Sequence, residues 1–436
     1  MCNRAIKPGE MQRVGKPMIS KLPYGHGHLD VLVPDANVLA VLKPRSHLAQ
    51  QKETAVIRRA LAQPIGSPAL IELVRSGQRV AIITSDLTRP CPSERLIPPL
   101  VDELAQAGIQ DQDITIILAL GLHRPMTEQE IREAVGPAVH DRVRVLNHDP
   151  TDVVPLGATS RGTPVEIFRP VVEADARICV GNLELHYFAG YSGGAKAILP
   201  GCASRATIQA NHAMMVQPEA CAGRLEGNPV RADLEEGAAM VGTDFVLNVI
   251  VDSEHRVVGA VAGDVTLAHR QGCDLVAEQG IVPISELAGI VLVSAGGFPK
   301  DVNLYQAQKA LDNAAHAVRQ GGTIILLAEC SEGLGNATFE AWLQSARAPD
   351  EILDRIQQEF VLGGHKAAAV ASVLKKAQVY LVSSLAAELV TGCGLLPFDD
   401  VQQAMQSALT RQGDSAQVLI VPQGGSVLPV HAVLQS

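Results

Sequence analysis

Short unbroken runs of aliphatic residues, each closed by a polar loop, recur along this chain and constrain its fold more than any other feature. Arg79–Thr84 (Arg-Val-Ala-Ile-Ile-Thr), Asp113–Leu120, Arg142–Leu146 and Ala176–Val180 are such runs. They lack the alternation of a half-solvated strand, which points to strands buried on both faces, the condition of parallel sheets covered by helices. Composition agrees. Hydrophobic residues make up 47% of the chain and aromatics only 3%, so the cores must be built from Val, Ile, Leu and Ala.

Helical signals fall between the runs. From Ser93 to Ala107, Leu96, Leu100 and Leu104 recur at helical spacing, and Thr127-Glu128-Gln129-Glu130 has the form of a capping box. Strand, polar loop and helix alternating in this way predict an α/β fold, a mostly parallel sheet flanked by helices. After a helix from Asn228 to Val241 come strands Phe245–Val251 and Arg256–Ala260, then a helix Thr266–Gln279. Ile281–Leu287 reads as a linker. A second alternating unit follows: strand Ile290–Ser294, helix Asn303–Gln320, strand Thr323–Leu327, helix Pro349–Phe360, and strands Val379–Ser383 and Val418–Val421. Residues 1–70 read as irregular apart from short strands at Met18–Leu22 and Asp30–Val33. The expectation is two α/β domains, 1–280 and 281–436, with the last strand, in 415–436, packing back on the first. An active site in the interdomain cleft is the usual arrangement for such a pair.

The net charge of −10 argues against nucleic acid or an anionic membrane as a partner. Eight cysteines are scattered without a C-x-x-C pair, the pattern of reduced thiols. The first residues show no charged-then-apolar leader, and no apolar run approaches ~18 residues. A soluble cytoplasmic protein is expected.

The densest chemistry lies in His186–Gly201, reading His-Tyr-Phe-Ala-Gly-Tyr-Ser-Gly-Gly-Ala-Lys-Ala-Ile-Leu-Pro-Gly, with Asn211-His212 soon after. Ser192-Gly193-Gly194 is either a tight turn or a cradle offering backbone N–H groups to a phosphate. Lys196 can reach a phosphate or attack an electrophile. Histidine carries protons near neutral pH or binds a metal. Ser85-Asp86-Leu87-Thr88-Arg89-Pro90 also follows a strand. Asp86 is an acid, a base or a ligand there, or else a loop carboxylate paired locally with Arg89, whose guanidinium suits an anionic oxygen. His123 sits in Gly-Leu-His-Arg-Pro after the next strand, and His148 in Asn-His-Asp-Pro competes with it. His26 and His28 read as surface or wall residues. In the second unit Gln306 and Lys309, three apart, share a helix face and can grip a carboxylate or simply meet solvent. Gly363-Gly364-His365-Lys366 is one more glycine-rich turn.

Together these stretches closely resemble the nickel-pincer lactate racemase family of 2-hydroxyacid racemases and epimerases. The matching pieces are Asp86-Leu87-Thr88-Arg89-Pro90, Gly121-Leu122-His123-Arg124, His186 through Gly201, Asn211-His212, and Tyr305-Gln306-Ala307-Gln308-Lys309, in the family's order at similar separations across nearly the whole chain. The resemblance implies an N-terminal cofactor-binding and catalytic domain and a C-terminal domain closing over the substrate. It implies a nickel-pincer nucleotide, a pyridinium-3,5-bisthiocarboxylate mononucleotide holding nickel, tethered to Lys196 as a thioamide, with His212 as a nickel ligand. Asp86, Leu87, Thr88 and Arg89 would form a cofactor-binding loop; Ser192, Gly193 and Gly194 suit the same task by their turn chemistry. His123 and His186 would be the two acid/base residues, and Tyr305, Gln306 and Lys309 would hold the substrate. The implied partners are a small 2-hydroxy acid and the enzymes that make the cofactor.

The implied reaction explains the residue types. The Cα–H of a 2-hydroxy acid is a poor acid, so its removal as hydride, giving a 2-keto acid, is the easier route. Two histidines are then needed, because the two enantiomers place their hydroxyls differently. Leu122 stands where a small polar residue is frequent in the family. Three alanines follow His365-Lys366 where some relatives carry an aromatic residue, which would suit a substrate larger than lactate. A non-catalytic carrier of the nickel cofactor is the alternative, but it would need only Lys196 and His212. A nucleotide-dependent dehydrogenase is disfavoured, since no Gly-x-Gly-x-x-Gly turn follows the first strand.

Overall fold

A computed structural model describes residues 18–45, 51–252 and 254–431. The chain forms two compact units. The larger comprises residues 44–281 with 350–368, and the smaller residues 1–43, 282–349 and 369–436. The division therefore differs from a single cut near residue 280: each unit takes in a segment from the far side of that point.

The larger unit is built on a six-stranded sheet in the order Val257–Gly263, Phe245–Val251, Ala176–Asn182, Val80–Ser85, Ile114–Ala119, Arg144–Asn147. All neighbours are parallel except the first pair. The aliphatic runs sit where their sequences demand. Ile82, Ile116, Ile178 and Leu247 are wholly buried, packed with Leu96, Leu100 and Leu104 of the helix Ser93–Gln106. The capping box forms as expected: Thr127 N donates to Glu130 Oε2 at 2.8 Å while Glu130 N donates back to Thr127 Oγ1 at 3.3 Å. From Val80–Ser85 the chain steps outward through two strands and then returns to the other side with Ala176–Asn182. That reversal makes the carboxyl ends of these two strands a topological switch point, where open parallel sheets hold ligands. Their loops are Asp86–Pro90 and the stretch running from Leu183 to Lys196.

The smaller unit has a six-stranded parallel sheet in the order Leu396–Phe398, Gln378–Val382, Val318–Leu327, Ala288–Ser294, Val418–Val421, Val38–Val41. The strand Val418–Val421 thus lies inside this sheet rather than on the larger unit, because it pairs on one side with Ala288–Ser294 and on the other with Val38–Val41. The hairpin Met18–Tyr24 and Gly27–Val33 adds Leu22, Val31 and Val33 to the same core.

Other departures have local causes. Residues 51–70 are not irregular: Glu53–Ala62 is a helix whose Val56, Ile57, Ala60 and Leu61 are buried. The segment expected as a linker contains a strand, Ile281–Ile284, paired with Leu428–His431. The helix expected to reach Gln320 spans only Leu304–Ala315, and Val318 already belongs to the next strand. Among the described residues no helix is long and apolar enough to cross a membrane.

Candidate active site

The loop after Val80–Ser85 and the loop after Ile114–Ala119 meet through Asp86 and His123. His123 Nδ1 lies 2.5 Å from Asp86 Oδ2, and Thr88 Oγ1 donates to Asp86 Oδ1 at 2.7 Å. Asp86 is 5% exposed. Burial pushes its carboxyl up, but the hydrogen bonds from His123 and Thr88 and the charge of Arg89 outweigh that and hold it below the usual range. An ionised Asp86 accepts the Nδ1 proton of His123, which leaves Nε2 with a free lone pair. Asp86 therefore orients the histidine and does not pair with Arg89. Leu87, Thr88 and Arg89 are exposed.

The stretch after Ala176–Asn182 turns back on itself as a small hairpin, Leu185–His186 with Gly190–Tyr191, and continues into one helical turn, Gly194–Ala197, that carries Lys196. The Ser-Gly-Gly segment, read from the sequence as a tight turn or a phosphate cradle, is a tight turn held by the protein's own groups. Ser192 Oγ donates to Asn182 O at 2.8 Å and accepts from Glu184 N at 2.9 Å. Gly194 N donates to Asn248 Oδ1 at 2.8 Å. Both glycines have positive φ, and a Cβ would lie 2.7 Å from Leu183 at Gly193 and 2.7 Å from the His269 ring at Gly194. The glycines let the backbone press against the protein's own side chains.

Phe188 is the hub of the site. Its ring meets His186 edge-on at 4.5 Å and His212 at 5.0 Å, and Lys196 Nζ lies 5.7 Å from its centroid. Desolvation first, then the charges of Arg231 and Arg89, push the Lys196 amine well below its ordinary pKa. Desolvation followed by the charges of Lys196 and Arg89 does the same to His186. His212 is also pushed well down, by burial and then by Lys196. These are the conditions for a nucleophilic lysine and for imidazoles that carry lone pairs.

The helix Arg205–Ala213 presents His212, and its neighbour sets the tautomer. Asn211 Nδ2 donates to Val230 O and to Asp233 Oδ2, at 3.1 and 2.8 Å. Its Oδ1 therefore faces His212 Nδ1, 3.0 Å away, and accepts that proton. The lone pair of His212 is on Nε2.

Two residues not assigned a role from the sequence complete the cluster. Phe360 stands edge-on to His212 at 4.8 Å, and His365 lies over Tyr187 at 6.2 Å and beside Phe360 at 5.4 Å. Burial, with the charge of Lys366 next, takes the His365 pKa down to about 3. The Gly363-Gly364-His365 turn was visible in the sequence, but nothing local indicated that it returns to the larger unit. The alanines behind it, Ala367, Ala368 and Ala369, are 0%, 1% and 5% exposed. They are packed in the interior, so they do not argue for a roomier pocket.

Tyr305, Gln306 and Lys309 belong to the smaller unit, on the first turns of the helix Leu304–Ala315. Asn303 caps this helix by accepting from Gln306 N at 3.0 Å. Gln306 is exposed and Lys309 half-buried, while Tyr305 packs edge-on against Phe339. His148 does not compete with His123: it is 2% exposed, edge-on to Phe168. His26 and His28 are exposed, and His26 stacks on Phe298.

The lactate racemase N-terminal domain model matches residues 24–223, and the lactate racemase C-terminal domain model matches residues 284–429. The chain belongs to the lactate racemase family. It is 33% identical to the lactate racemase of Thermoanaerobacterium thermosaccharolyticum over 420 residues, 94% of this chain and 98% of that protein. The lactate racemase of Lactiplantibacillus plantarum is 33% identical over 419 residues, 93% of this chain and 98% of that protein. The solved structure of the lactate racemase apoprotein from T. thermosaccharolyticum superimposes with a TM-score of 0.87 at 33% identity, covering 94% of this chain and all of that one. The family's two domains, and an α/β fold with mostly parallel sheets flanked by helices, are thus both present.

Proposed function

We propose that this chain is a racemase or epimerase that inverts C2 of a 2-hydroxy acid, lactate being the simplest candidate. The observation that carries the reading is the cluster around Phe188 and the Asp86–His123 pair. The first brings together a desolvated lysine and two histidines pushed to low pKa, and the second holds a third histidine by a carboxylate. Kinship with proteins named lactate racemase supplies the reaction class.

The donor set fits a nickel-pincer nucleotide. Lys196, whose amine burial pushes well below its ordinary pKa, suits acylation by a thiocarboxyl group, and His212 Nε2 has its lone pair free for a borderline metal such as nickel. Arg89, exposed at the switch point, suits the nucleotide's phosphate. When bound, that group supplies reversible acceptance of hydride from the substrate's C2. The chain's own residues handle the protons. His123 Nε2 takes the hydroxyl proton of one enantiomer and returns it, while Asp86 steadies the imidazolium. His186, whose Nδ1 accepts from Ala189 N at 3.3 Å, is the acid/base group proposed for the other enantiomer. Gln306 and Lys309 are proposed as the grip on the substrate carboxylate, from residue type and helix spacing.

Two experiments test this. Protein co-expressed with the cofactor-making enzymes should carry a mass adduct at Lys196; active protein with an unmodified Lys196 would sink the tether. A panel of enantiopure 2-hydroxy acids, followed by chiral chromatography, should show both enantiomers of at least one acid converging on a racemate. Nickel-loaded protein that inverts none of them would instead be a cofactor carrier.

A further inference from the structure

The hairpin that bears His186 and leads to Lys196 is held in an unusual way. Five consecutive carbonyls, from Phe188 to Ser192, all accept hydrogen bonds from outside the hairpin. Phe188 O accepts from Asn228 Nδ2 at 2.9 Å, and Gly190 O from Gly223 N at 3.0 Å. Ser192 O accepts from His269 Nε2 at 2.9 Å. The remaining two, Ala189 O and Tyr191 O, accept from one side chain, Arg231, through Nε at 3.1 Å and through a terminal nitrogen.

Arg231 is 1% exposed. Burial draws its pKa down to about 10, with Glu235 opposing, so it stays charged at neutral pH. A buried charge gives up its solvation, and packing alone would be served better by an apolar residue. Its rigid fork does what no apolar residue can: it spans two carbonyls two residues apart. Glu235, one turn along the helix Pro229–Val241, lies 3.6 Å from Arg231 and takes two hydrogen bonds from Arg270, both 2.7 Å. Arg270 neighbours His269 on the helix Leu267–Gly280. Two helices are thus tied to each other and to the hairpin.

We propose that Arg231 is a positioning residue of the active site: by gripping the carbonyls on either side of Gly190, it fixes the hairpin that sets His186 and Lys196 in place. The role rests on the function proposed above for those two residues.

The test is Arg231→Lys, which keeps the charge and most of the length but cannot span both carbonyls. Amide exchange is measured at Tyr191 and Ser192 in protein without cofactor, and racemisation is measured per Lys196-modified molecule, so that loss of folded or loaded protein does not enter. The expected result is exchange about ten-fold faster at these two amides, with kcat per modified molecule down about ten-fold or more. Wild-type exchange together with wild-type kcat would overturn the proposal. If Arg231→Lys does not fold, Arg231→Gln, whose amide can reach only one of the two carbonyls, is measured in the same way; unchanged exchange there overturns it equally. The exchange measurement needs no cofactor. Absence of the Lys196 adduct in wild-type protein would therefore defeat the functional reading and leave the exchange result standing.

Discussion

Asp86 shows how much of the chemistry depends on one oxygen. Its Oδ2 accepts the proton on His123 Nδ1, so Nε2 keeps the lone pair that the proposed acid/base role requires. Asp86→Asn puts an amide there, whose NH2 can donate to Nδ1 and force the opposite tautomer. General acid/base catalysis contributes roughly 10²–10⁴-fold, and most of that should be lost from kcat with the nickel content unchanged. Steady-state rates alongside metal analysis check this; a variant within a factor of about two of wild type would show that the carboxylate does not orient the base. The types and order of the candidate residues were legible in the sequence, but this pairing was not. Asp86 and His123 lie on different loops 37 residues apart, and only the adjacency of their two parallel strands joins them. Arg231 was hidden for another reason: a charged residue in a helix reads as solvated, and no spacing signals that it is buried against two carbonyls.

At the scale of elements, the buried strands were legible because an aliphatic run with no polar alternation has few alternatives. Several helices were not, and two of them show why. Glu53–Ala62 has a narrow apolar stripe among charged residues, and Arg205–Ala213 buries Thr207, Asn211 and His212, polar residues that tertiary partners satisfy. The strand Val38–Val41 had no local signal either, since its partner is Val418–Val421 at the other end of the chain. The hairpin Leu185–Tyr191 is set by sterics more than by propensity. Gly190 has φ +75°, and a Cβ there would fall within van der Waals overlap of the Arg224 carbonyl, backbone that cannot swing aside. Gly190→Ala combines a disfavoured conformation with a clash, and should lower stability by about 2–4 kcal/mol. Urea denaturation reads this directly, and a midpoint unchanged from wild type would mean that the hairpin shifts freely.

At the scale of the whole molecule, the same parallel architecture that gathers the site also buries imidazoles, and this couples folding to pH. His148 is the clearest case outside the active site. It is 2% exposed, and desolvation takes its pKa down to about 4, against an ordinary value near 6.5. Between those two values the unfolded chain binds a proton that the folded protein refuses. Stability must therefore fall as pH drops from about 6.5, and this contribution levels off below about 4. The linkage relation puts the loss from His148 at about 2 kcal/mol by pH 5 and about 3 kcal/mol by pH 4. Carboxylates titrate in the same range, so the test is a difference: His148→Leu and wild type are unfolded in urea at pH 7, 6, 5 and 4. The gap between their unfolding free energies should shift in the variant's favour by about those amounts as pH falls. A gap that stays constant from pH 7 to pH 4 would mean that His148 accepts its proton in the folded state as readily as in the unfolded one.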